Sequence, residues 1–326
     1  MLQRVRSERS RPAHNYHFVQ NYVRENPNLA LDYFAALVGH NARRYNPRGP
    51  FSRAWIYWSD VVDAIKGSRL GHQRAMFLSN LEERAPLAAH VIPCIDPLHS
   101  FLLNNSAGYL FVGPRVGGAL LGSSATLTSA AAEDDLSKHM QVPVIIVAGH
   151  FDSVLSEAEA GALGKARYMR AAGYHAGEHN CGCAAITGAT TLVQQIAAGL
   201  APALHETDGA KAHYVHGIAN AIAGRAKAVA EADDIPLDDW NRFSMCVLKA
   251  SILHTVEIVE ATENDPANRH GLQPRIVFGC YVDNRTGNLT VCTDRAASNW
   301  AVHRPPPLRG IEKQFETLAS GRIPCA

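Results

Sequence analysis

Three short apolar runs, each bounded by turn residues, punctuate the middle of the chain. AAHVIPC ends at Cys94 and is stopped by Asp96 and Pro97. GYLFVG occupies residues 108–113, and VPVIIVAGH, at 142–150, is the strongest strand pattern of the three. None alternates apolar with polar, as expected of strands buried on both faces. A helical stretch at about 130–140 separates the last two. Strands alternating with helices predict an α/β fold, with a mostly parallel central sheet flanked by helices. In this reading 88–94 lies beside 142–150, with 108–113 on its far side. PRIVFGCYVDNRTGNLTVCTD, at 274–294, reads as two strands joined at Asn284 to Asn288 and forms the other edge.

Elsewhere the apolar period is helical. YHFVQNYVRENPNLALDYFAALVGHNARRY carries it within residues 1–87, interrupted at Pro27. A break at NPRGPF precedes a second stretch with Trp55, Trp58, Val62 and Ile65. Further helices are expected at 183–199, 210–232 and 241–261. After Asn299 the Pro-rich VHRPPPLRG opens a segment without visible periodicity. The expected division is an N-terminal helical extension (1–87), an α/β domain (88–298) and a C-terminal tail (299–326).

Composition narrows the class. Of 326 residues, 47% are apolar and 19% charged, enough for a sizeable core. No apolar run is long enough to span a membrane. The start, MLQRVRSERSRPAH, lacks the apolar stretch of a secretory signal. Lys and Arg total 31 against 30 for Asp and Glu, a balance that gives nucleic acid no electrostatic footprint. Seven cysteines, an odd number, point to reduced thiols and a cytoplasmic setting.

Thiols and imidazoles then suggest a metal. Cys94 and His150 end two strands of the expected parallel sheet, and functional groups collect at the carboxyl ends of such strands. Asp96 follows Cys94 closely. A third group, GYHAGEHNCGC, holds His175, His179, Cys181 and Cys183 just before a helix. Zinc takes thiolate and imidazole tetrahedrally and, in catalytic sites, leaves one position for water.

At these residues the chain resembles the β-class carbonic anhydrases. Cys94-Ile95-Asp96-Pro97-Leu98 stands where that family has C-x-D-x-R. LFVGPRVGG, VIIVAGHFDS and GCYVDNRTGNLTV are similar to its second-strand, histidine-strand and hairpin motifs, in the same order. The resemblance covers roughly residues 88–294. It implies zinc-dependent hydration of carbon dioxide to bicarbonate by metal-bound hydroxide, with Zn2+ on Cys94, His150 and a second cysteine. The family's second cysteine, three residues after the histidine, falls here on Ser153. NCGCAAITGA resembles the family's next helix start, so the resemblance implies an insertion and makes Cys181 the third ligand, with Cys183 and His179 as alternatives. Asp96 is the implied catalytic carboxylate. The arginine that pairs with it in the family is replaced by Leu98, leaving Arg115 or His99 as possible partners. A homodimer or higher homo-oligomer follows from the same resemblance, with the N-terminal helices clasping a neighbouring subunit. Two other functions fit this pattern: a carbon disulfide or carbonyl sulfide hydrolase on the same fold, and a non-catalytic scaffold homologue. Cys246, Cys280 and Cys292 lie in apolar helix or strand patterns and read as core.

Overall fold

The computed structural model describes residues 16–44, 87–93, 109–112, 141–151, 184–200, 210–269, 273–283 and 286–324. Helices α1 (Tyr16–Glu25) and α2 (Asn28–Arg44) are split at Pro27, as the sequence predicts. Strands β1 (Ala89–Pro93), β2 (Leu110–Val112) and β3 (Val144–Phe151) follow. Next come helices α3 (Ala184–Ala197), α4 (Ala210–Ala232), α5 (Trp240–Asn264) and the single turn α6 (Pro266–Arg269). The described chain closes with β4 (Ile276–Asp283), β5 (Leu289–Asp294), β6 (Asn299–His303) and α7 (Leu308–Ala319).

The strands form one six-stranded sheet in the order β2-β1-β3-β4-β5-β6. β2, β1, β3 and β4 run parallel, whereas β5 and β6 are antiparallel additions. β3 is central and its first seven residues are buried, which explains why its sequence does not alternate. The fold class and the order of the first five strands are those expected. The 274–294 hairpin, however, is not the edge. Residues 299–303 add β6 beyond it, and residues 308–319 form a helix where the sequence suggested no periodicity.

Each face of the sheet carries a core. On one side α1, α2 and α7 cover Val91, Ile146, Ala148, Val282 and Val291. Phe315 of α7 stacks on Tyr109 at 4.2 Å and meets Tyr33 of α2 edge-on at 5.4 Å. α1 and α2 thus bury apolar faces within their own chain. On the other side α3, α4 and α5 cover Ile92, Ile145, Val147 and Val277.

α5 lies directly on the sheet because two strand positions there have no side chain. A Cβ on Gly149 of β3 would lie 2.7 Å from Ile252 Cδ1 and 2.8 Å from Leu248 Cδ1. One on Gly279 of β4 would lie 3.0 Å from Val256 Cγ2 and 3.1 Å from Ile252 Cγ2. The far end of α5 is tied to the start of β4 by a buried ion pair. Arg275 donates from Nε to Glu263 Oε2 at 3.0 Å and from Nη2 to Oε1, with both side chains at most 5% exposed. Asp239 caps its first turn, accepting from the Arg242 backbone N–H at 3.1 Å.

Candidate functional site

The site is built from the carboxyl ends of β1 and β3. Parallel pairing sets Ile92 beside Val147 and Pro93 beside Ala148, so the two strands finish side by side. His150 is two residues beyond Ala148 and is 0% exposed. Its neighbour across the ladder is Val282 of β4. Strand alternation gives His150 the face of Ala148 and Val282, toward α1, α2 and α7. Gly149 and Phe151 share the opposite face, toward α5.

Of the expected site residues, His150 is the one within the described residues. Cys94, Asp96, Arg115, His179, Cys181 and Cys183 lie outside them, as do Leu98, His99, Ser153 and His175. Among the described residues no three His, Cys, Asp or Glu side chains cluster so as to hold a metal. Cys94 directly follows Pro93, the last residue of β1. A buried imidazole near the end of β3, with one thiol following β1 in the chain and two more just before α3, is a donor set that suits zinc.

The neighbouring strand ends are ordered by the hairpin. Thr286 Oγ1 donates to Asp283 Oδ2 at 2.6 Å, and the Gly287 N–H donates to the Asp283 carbonyl at 2.7 Å. Gly287 has φ 75°, the left-handed region that the turn requires there. Asp283 is 6% exposed and pairs with Phe151 in register. This burial was not legible beforehand, because an Asp before Asn-Arg-Thr-Gly reads simply as a turn residue. An aromatic row continues across the sheet from Phe151. That ring meets Tyr281 edge-on at 5.6 Å, and Tyr281 lies 5.2 Å from Trp300. Burial pushes the Tyr281 hydroxyl above its ordinary range.

Other polar groups stand apart from this point. His90, 2% exposed, pairs with Ile145, five positions before His150 along β3. His303 Nε2 lies 2.7 Å from Asp32 Oδ1 and ties the end of β6 to α2. Beside that contact is a cavity of about 480 Å³, whose walls include Ala36, Gly39, Thr286, Val302 and Arg304. His150, the one expected ligand among the described residues, does not line it. Two thiols behave as core. Cys280 is fully buried and donates to the Val147 carbonyl at 3.5 Å, and Cys246 is buried with its thiol pushed up to about 11 by desolvation. Cys292 is half-buried rather than internal.

No protein-family model matches the chain, and no curated protein matches it by sequence. Solved structures do match. A β-carbonic anhydrase of the ascomycete Sordaria macrospora, one of two described as tetrameric, is 16% identical at TM-score 0.40, over 74% of this chain and 98% of that one. CafA, a β-carbonic anhydrase of Aspergillus fumigatus, is 13% identical at TM-score 0.39, over 85% and 100%. The β-carbonic anhydrase CcaA is 12% identical at TM-score 0.42, over 77% and 100%. The likeness extends over most of this chain and nearly all of each of theirs, at low identity and low TM-score.

Proposed function

We propose that the protein is a zinc-dependent hydratase that converts carbon dioxide to bicarbonate. The observation that carries this reading is the pairing of β1 with β3, which ends both strands together with His150 buried at the finish. Cys94, His150 and Cys181 would hold the metal, and two thiolates would balance its charge. When bound, zinc supplies a Lewis-acidic centre that brings the pKa of water to about 7. Asp96, two residues beyond a ligand, would accept a hydrogen bond from the reacting water and orient it. With Leu98 in place of arginine, Asp96 would lack the usual restraint unless Arg115 or His99 supplies it, and its carboxylate would then compete for the metal near neutral pH. We place the protein in the cytoplasm as a homo-oligomer acting on a small-molecule substrate. Residues 1–87 would form its helical extension and 88–298 its catalytic domain, with β6 and α7 of the 299–326 segment built onto that domain's sheet and core.

The test is metal content and turnover together. Protein produced with added zinc should carry about one zinc per chain, the one-metal site expected of such a ligand set. Cys94→Ser should abolish both zinc and hydration, whereas Cys280→Ser should retain zinc. Zinc retained by Cys181→Ser and lost by Cys183→Ser would move the third ligand. Metallated protein that turns over carbon disulfide or carbonyl sulfide, and not carbon dioxide, would change the substrate. Protein that takes up no zinc would leave a non-catalytic scaffold. Hydration that does not rise with pH would count against competition by Asp96.

A further inference from the structure

We infer that α5 positions His150, by pressing Leu248 and Ile252 onto the bare Cα of Gly149. This rests on reading His150 as a metal ligand. α5 occupies one face of the sheet while His150 belongs to the other, so helix and imidazole meet only through the strand between them. The contact is tight. A Cβ at Gly149 would stand 2.7 Å from Ile252 Cδ1, 2.8 Å from Leu248 Cδ1 and 3.2 Å from Ile252 Cγ1. α5 cannot back away freely to relieve that crowding. Its end is bound to β4 by Glu263 and Arg275, Glu260 is paired with Arg295, and Lys249 Nζ lies 2.7 Å from Asp233 Oδ2. The Leu248 and Ile252 chain ends give part of the way, and the rest of the shift falls on the end of β3, where His150 is the next residue. Metal sites are sensitive to such displacement, because ligand geometry has to hold within about 0.5 Å.

Gly279 supplies an internal control. The same helix presses it on the adjacent strand, through Ile252 Cγ2 at 3.1 Å and Val256 Cγ2 at 3.0 Å. It pairs with Val147, three positions before His150. Ile252 therefore touches Gly149 through Cδ1 and Cγ1, and Gly279 through Cγ2. Ile252→Val removes the first of these atoms and keeps the last.

The experiment titrates full-length protein with Co2+, read by its absorption bands, alongside urea unfolding. Gly149→Ala should weaken Co2+ binding tenfold or more, and Ile252→Val in that background should recover part of the loss, because Leu248 Cδ1 stays in place. Gly279→Ala should lose stability while binding Co2+ like the parent, and Ile252→Val should not rescue its stability. Parental affinity in Gly149→Ala, an equal loss in Gly279→Ala, or no recovery would each overturn the inference. Should the parent bind no metal, the ligand reading fails by itself. Positioning is then read from the His150 imidazole resonance, assigned by its loss in His150→Gln. Gly149→Ala must shift that resonance and Ile252→Val must move it back toward its parental position; a resonance that stays in place overturns the inference. If Gly149→Ala does not fold, Ile252→Ala, which removes the Ile252 half of the contact, must produce a shift of its own.

Discussion

Burial holds the Cys280 thiol well above its ordinary 9.0, and Cys246 rises to about 11 for the same reason. Thiolate is the reactive form, so both should resist iodoacetamide in the native protein at neutral pH and react once it is unfolded. Mass spectrometry of the alkylated chain checks this. The sequence separated these thiols from Cys94 by pattern alone, since each sits inside an apolar element rather than at its end. Only the resemblance put Cys181 ahead of Cys183, because both precede the same helix start and spacing alone does not choose between them. His254 shows how pH should act on stability. Burial, helped by Arg225, lowers its imidazole below the ordinary 6.5. The unfolded chain then binds more protons as pH falls below 6.5, so stability present above that value is lost as the solution acidifies. Melting temperature should fall between about pH 7 and pH 5, and His254→Gln should remove part of that fall.

Elements were legible where one physical signal dominated. α4 occupies the residues its Ala-rich period marks, and β3 is an apolar run because helices cover both its faces. β6 and α7 were not legible. β6 is an edge strand with largely exposed residues, so burial imposes no pattern on Asn299–His303. α7 does carry a helical stripe, with Ile311, Phe315 and Leu318 buried, but three prolines immediately before it read as an irregular tail. The ion pair that fixes α5 was also hidden, because Glu263 and Arg275 meet only through folding. Removing one partner leaves the other buried and uncompensated. Glu263→Ala should therefore cost about 3–5 kcal/mol in urea unfolding. Replacing both residues with apolar side chains of similar volume should cost much less.

At the scale of the molecule, the two cores depend on chain segments far apart in sequence. α7, at the end of the described chain, completes the core that α1 and α2 begin. A chain ending at residue 298 would lose Ile311, Phe315 and Leu318 from that core and bare the edge of β5. It should be insoluble, or should lack a cooperative melting transition, and calorimetry decides which. The central ladder has a different consequence, one of timing. β3 ends at Phe151 and β4, its parallel partner, begins at Ile276. At about 5–20 residues per second of synthesis, the ribosome needs roughly 6–25 s to deliver that partner. Until then β3, the most apolar strand, keeps one edge open, with the backbone groups destined for β4 unpaired. An open apolar edge is a template for aggregation. The nascent chain therefore passes through a window in which chaperones, rather than its own contacts, must shield the strand that ends in His150.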